Sequence, residues 1–245
     1  MRPCEGAGLG YKDRVLAHAL ATLRFALRAP MSWGLAAASA LIAWFAIAFA
    51  VLALRDDPAR RIELIGSTSV LAGLAVALWC LVRMLEEDSR SGFALAADAS
   101  APGPGGRLAG RWLGACVAAT ATALISGLVT ALVSKAPIAP SLLMCSASIV
   151  PVGVAAGWAV LGSTLIGPGR GAALAALLWL AGHLPWGRAP LPEGVIGAWA
   201  RAWLPGPPQV DAPWVGLPAA LAVAVGLVIL ATWVAERAQR ADPMV

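Results

Sequence analysis

Apolar residues run almost unbroken through five segments of this chain, residues 31–54, 62–82, 112–134, 142–166 and 214–235. Each is long enough to cross a bilayer, because a membrane helix needs about 20 predominantly apolar residues. A sixth run, residues 170–186, is shorter and ends in HLPWGRAP. Roughly 16 residues at 1.5 Å each reach ~24 Å, less than the ~30 Å of hydrocarbon. That run crosses only where the bilayer thins or where the following segment dips back into it. The pattern predicts an all-α polytopic membrane protein, a single domain over residues 1–245 with six transmembrane helices.

A different pattern precedes the first span, in YKDRVLAHALATLRFALRAP, residues 11–30. At about 100° per residue, Arg14, His18, Arg24 and Arg28 fall within about a third of the circumference, and Leu16, Leu20, Leu23 and Leu27 fall opposite. A basic face against a leucine face predicts an amphipathic interfacial helix over 11–29 that lies in the membrane surface. Arg14, Arg24 and Arg28 then meet lipid headgroups, and His18 is solvated. Pro30 separates this helix from the first span. The segment reads equally as a generic anchor and as a hinged elbow that also touches a cytoplasmic partner.

Composition agrees with the membrane reading. Of 245 residues, 60% are hydrophobic and 13% charged, about half the charge of an ordinary soluble domain. Mean hydropathy is +0.78. The net charge of +5 forms no basic stripe, so it points to loops facing anionic lipid and away from nucleic acid. Cys4, Cys80, Cys116 and Cys145 have no metal-ligand spacing, and the last three lie in apolar spans as small hydrophobes. Residues 1–30 lack the short apolar core and small-residue cleavage site of a secretory signal.

The basic residues also orient the chain. With six spans and the N-terminus inside, 12 Lys and Arg fall on the cytoplasmic side and 6 on the other. That bias places both termini in the cytoplasm. Trp33, Trp112, Trp186, Trp214 and Trp233 fall at span ends as headgroup anchors. Trp44, Trp158 and Trp179 lie deeper and read as packing residues, not ligand contacts.

Enzyme motifs are absent. No GxxxxGK[ST] is present to cradle a nucleotide, and no HExxH to bind zinc. Gly162-Ser163-Thr164 is not a GxSxG elbow, and His183 alone makes no triad. Glu86-Glu87 resembles the EExxxR of CAAX-type intramembrane proteases, but Arg90 comes one residue early and the companion histidines are missing. His183 is the only ionisable side chain near span interiors apart from the cysteines. A self-powered carrier generally needs intramembrane acids or bases, so any transport here draws its energy from elsewhere.

One segment stands out against this apolar background. LVRMLEEDSRSGFALAADASAPGPGGRLAGRW, residues 81–112, holds four acids and four arginines between the second and third spans. Span 2 is expected to continue as a helix through Arg83–Arg90 and break at Gly92. Phe93, Ala94 and Leu95 form a short apolar patch, and APGPGG is a turn. Gly110 and Gly114 then make a GxxxG that permits close helix approach.

This order (elbow helix, two spans, charged cytoplasmic segment, four more spans) resembles the permease subunits of ABC-2 type transporters. Glu86-Glu87-Asp88, Arg90, Gly92 and Gly110-Arg111 fall where that family has an acid-rich stretch, a glycine and a basic approach to span 3. Ser89, Arg90 and Phe93 depart from the family pattern, and no acid follows Leu95. The GVIGAWARAW stretch within 187–213 is similar to the short outer-side helices that the family places between spans 5 and 6.

The resemblance implies a permease subunit of an exporter in the inner membrane. It implies a separate ATP-binding cassette ATPase that docks on residues 83–111, with Glu86, Glu87, Asp88, Arg90, Gly92 and Phe93 as the coupling residues. A second permease subunit, identical or different, would complete the path. The chain itself would carry no nucleotide site, no cofactor and no catalytic residue. A haem-exporter B-like protein is one subtype, although no His, Met or Cys pair suggests an axial haem ligand. The alternative is a non-transporting membrane scaffold that binds its partner through the same loop. The GPGRG turn at 167–171 is a second place for coupling.

Overall fold

Pro30 sets the first corner of the structure. A residue before proline is driven out of the helical region, and Ala29 is extended (φ −81°, ψ 124°) between α1 (Tyr11–Arg28) and α2 (Pro30–Leu52). The computed structural model describes residues 10–52, 57–90, 104–147, 149–183 and 217–241, and every regular element among them is a helix. The remaining helices are α3 (Pro58–Arg90), α4 (Gly105–Val133), α5 (Ile138–Ala147), α6 (Ile149–Ile166), α7 (Pro168–His183) and α8 (Leu217–Ala241). The expected coupling residues Gly92 and Phe93, and the outer-side helix within 187–213, lie outside the described residues.

Five stretches are long and apolar enough to cross a membrane: Pro30–Phe49, Pro58–Arg90, Gly105–Val133, Ile138–Ile166 and Pro218–Ala238. The fourth consists of α5 and α6. The expected short span is a helix, α7, of 16 residues, roughly 24 Å long. Large apolar side chains cover the outside of the bundle. Phe49 is 69% exposed, and Leu41, Ile42, Leu177, Leu180 and Ile229 also point outward. So much outward apolar surface is the mark of a lipid-facing wall. The described residues are all-helical in their regular structure, and the chain is a membrane-embedded protein.

α6 sits at the centre. From Val152 to Leu161 it is buried at every residue except half-buried Trp158. It packs against α3, α4, α7 and α8, and Trp179 of α7 is enclosed in the same core. Trp112 of α4 donates its indole N–H to the Gly153 carbonyl at 3.0 Å. Trp44 stands edge-on to Phe45 on the outward face of α2.

α3 and α4 run antiparallel and define two ends. At one end Arg61 donates to the Ser134 carbonyl at 2.9 Å. There α4 stops in a Schellman turn, with Ala136 N–H on the Ala131 carbonyl (3.0 Å) and Lys135 N–H on that of Leu132 (3.4 Å). Lys135 takes the left-handed conformation, φ 54°, that glycine usually fills. At the other end Asp88 of α3 meets Arg111 of α4. Gly105 of α4 also faces Thr232 of α8 there. α6 runs from α5 toward that end, so the α6–α7 turn with Arg170 is found there too.

Candidate functional site

The glycine ridge at the start of α4 builds the site. Gly106 faces Tyr11 and Arg14, Gly110 faces Val15 and His18, and Gly114 faces Ala19 and Thr22. α1 therefore runs alongside the first half of α4 in the same direction. A Cβ on Gly110 would lie 2.5 Å from His18 Cβ, and one on Gly114 would lie 2.5 Å from the Ala19 carbonyl oxygen. Only glycine permits this approach.

α1 thus has three stripes, where two were expected. Ala19, Thr22 and Ala26 are buried against α4 and its neighbours. Leu16, Leu20 and Leu27 face away from the bundle. Arg24 and Arg28 are exposed, and Arg14 is half-buried beside Gly106. His18, expected in solvent, is half-buried on the α1–α4 seam because the glycine ridge draws that edge of α1 inward.

The close approach of α1 brings a charged cluster inside the protein. Asp88 is 2% exposed and Arg111 is 4% exposed. Arg111 donates Nη2 to Asp88 Oδ1 at 2.7 Å and Nε to Oδ2 at 3.2 Å, a two-pronged carboxylate contact. Arg107 Nη1 lies 3.6 Å from Asp88 Oδ2. Arg111 Nη1 donates to Thr22 Oγ1 at 3.3 Å, and Thr22 in turn donates to the His18 carbonyl at 2.9 Å. One carboxylate so ties together α3, α4 and, through Arg111, α1.

Electrostatics explains why the three charges gather. Asp88 is in the last turn of α3, where the helix dipole disfavours an acid. Arg107 is in the first turn of α4, where it disfavours a base, and Arg107 and Arg111 repel each other as an i,i+4 like-charge pair. Setting the acid between the two bases relieves all three conflicts.

The remaining expected site residues are placed differently. Glu86 and Arg90 form a 3.8 Å i,i+4 pair at the surface, an arrangement that contributes little. Glu87 is exposed. Asp88, expected to face a partner with its neighbours, points inward instead. Arg107, Arg111 and Thr22 complete the cluster. Its seat continues a stripe readable in the sequence, since Val70, Leu74, Ala77, Leu81 and Leu85 recur at helical spacing on the buried face and the next step is Asp88.

Among the described residues, no group of three or more His, Cys, Asp or Glu is placed to hold a metal ion. Cys80, Cys116 and Cys145 carry buried thiols. The cluster's chemistry is that of a charged clamp. No protein-family model matches the chain, and no curated protein matches it significantly.

Proposed function

We propose that this chain is the membrane-spanning permease subunit of an ABC-2 type exporter, driven by a separate ATP-binding subunit that docks at the Asp88 end. The buried Asp88–Arg111 clamp carries the reading. α3 has 33 residues, roughly 50 Å at 1.5 Å per residue, so it outreaches a ~30 Å hydrocarbon core by several turns. Its last turn is locked to α4 and, through Arg111, to α1. A push on this end moves three helices as one body, as a coupling element requires.

The distribution of charge supports the orientation. Arg83, Arg90, Arg107, Arg111, Arg170 and Arg237 are at the Asp88 end, against Arg60, Arg61 and Lys135 at the other. This end is cytoplasmic by the positive-inside rule. α7 serves as a short fifth crossing, which makes six, and both termini face the cytoplasm of a cell whose inner membrane holds the protein. The leucine stripe of α1 meets lipid at the membrane edge. Two such subunits form the path.

Affinity purification from solubilised membranes of the native cell tests the reading. Recovery of an ATPase with a nucleotide-binding cassette supports it. Recovery of other partners with no ATPase, under crosslinking and with ATP analogues present, replaces it with the scaffold.

A further inference from the structure

At the elbow between α1 and α2 a crevice opens against α4. It is a shallow groove, partly open to the outside. Alanines make its walls: Ala26 of α1, Ala36 of α2, and Ala118 and Ala121 of α4. The crevice exists because α1 and α2 follow α4 in succession and neither fills the corner at Pro30.

One polar atom in this lining stands out. Ser32 is 7% exposed, and its Oγ has no hydrogen-bond partner among the described residues. Other hydroxyls here bond back to a carbonyl three or four residues earlier, as Ser39 does to Ala36 and Thr122 to Ala118. Ser32 is the third residue of α2, and its own N–H already occupies the Ala29 carbonyl at 3.2 Å. An unmet buried hydroxyl is costly, so this one calls for an acceptor from outside the chain.

We propose that this crevice seats one acyl chain of a glycerophospholipid, whose ester carbonyl accepts a hydrogen bond from Ser32. The lining is apolar apart from Ser32 and Thr122, and the Thr122 hydroxyl is already spent on the Ala118 carbonyl, so one donor is left for an ester beside an acyl chain. The depth also fits. Ser32 is the third residue of the first membrane-length stretch, Pro30–Phe49, and exposed Arg28 comes just before that stretch begins. Trp33, at the rim, is held by its indole N–H on the Leu27 carbonyl at 2.9 Å, with its ring exposed to the lipid side as interfacial tryptophans are. This inference rests on membrane embedding alone and stands whether or not an ATPase binds.

The test uses the whole chain in nanodiscs doped with phosphatidylglycerol that carries a mid-chain diazirine. The lipid is supplied in diester form and as its diether counterpart, which lacks the carbonyl. After irradiation, labelled peptides are compared between 118–125 of α4, in the crevice, and 174–180 of α7, on the open wall. The diester lipid is expected to label 118–125 about 5-fold more than the diether lipid, the effect of one ordinary hydrogen bond, while 174–180 labels equally with both. Ser32→Ala should abolish the difference, and Ala121→Phe, which fills the crevice, should remove the labelling of 118–125. Equal labelling of 118–125 by both lipids in the wild type overturns the proposal. So does a difference that survives Ser32→Ala, or labelling that survives Ala121→Phe. Because the diester–diether comparison is made on the wild type, it does not depend on how the variants fold.

Discussion

Arg111 Nη2 lies 2.7 Å from Asp88 Oδ1 with both side chains almost wholly buried, and the pair closes one end of the bundle. Breaking such a pair from one side leaves a lone buried charge and costs about 3–5 kcal/mol, whereas replacing both partners with apolar residues is often close to neutral. Asp88→Leu and Arg111→Met should each lower the melting temperature strongly. The double variant should recover most of the loss. With Cys4 replaced by Ser, a thiol-reactive dye reports this directly, because Cys80, Cys116 and Cys145 become reactive only when the core opens. Additive losses would show that the two residues act independently.

Seating of α1 depends on the α4 glycines. In Gly114→Leu the first side-chain atom would already meet the Ala19 carbonyl and the Thr22 Cβ at 2.5 and 2.7 Å, so α1 must move away. An Ala26→Cys probe, buried in the wild type, should then become open to maleimide in a background without native cysteines. Unchanged protection would mean that α1 is held by something other than this ridge.

At the opposite end Lys135 carries the strain of a positive φ, 54°. Lys135→Gly should stabilise by about 0.5–1 kcal/mol or leave stability unchanged, and Lys135→Val should destabilise, since a β-branched residue resists this conformation. Thermal unfolding of the two variants separates them. A lower melting temperature for the glycine variant than for the valine variant would contradict the Schellman turn.

Much of this was legible from periodicity. The long apolar runs locate the five membrane-length stretches, and Pro30 marks the elbow. Six spans were expected, and the weak one, 170–186, is the helix too short to be counted by length. The charged cluster was hidden for a physical reason. Counting Glu86-Glu87-Asp88 as one acidic patch ignores that successive residues point about 100° apart, so Asp88 alone shares the face of Leu81 and Leu85. Likewise a two-faced view of α1 overlooks Ala19, Thr22 and Ala26, small residues whose burial depends on glycines some ninety positions away.

Orientation is checked with single cysteines in a background without native ones. Arg90→Cys should be labelled only from the cytoplasmic side, and Ala59→Cys only from the other, as both side chains are exposed at opposite ends of α3. Labelling of Arg90→Cys from outside would remove the docking site from reach of a cytoplasmic ATPase.

The most direct test of the central claim is ATP hydrolysis by the copurifying ATPase, measured in nanodiscs with and without this protein. The wild type should stimulate hydrolysis. Phe93→Asp should abolish stimulation by weakening the contact by upwards of ~2 kcal/mol, typical for a packed aromatic anchor. Asp88→Asn, assayed below its unfolding temperature, should still bind the ATPase but stimulate it less, because the clamp that carries the push is loosened. A hydrolysis rate that is the same with and without the wild-type protein would contradict the account.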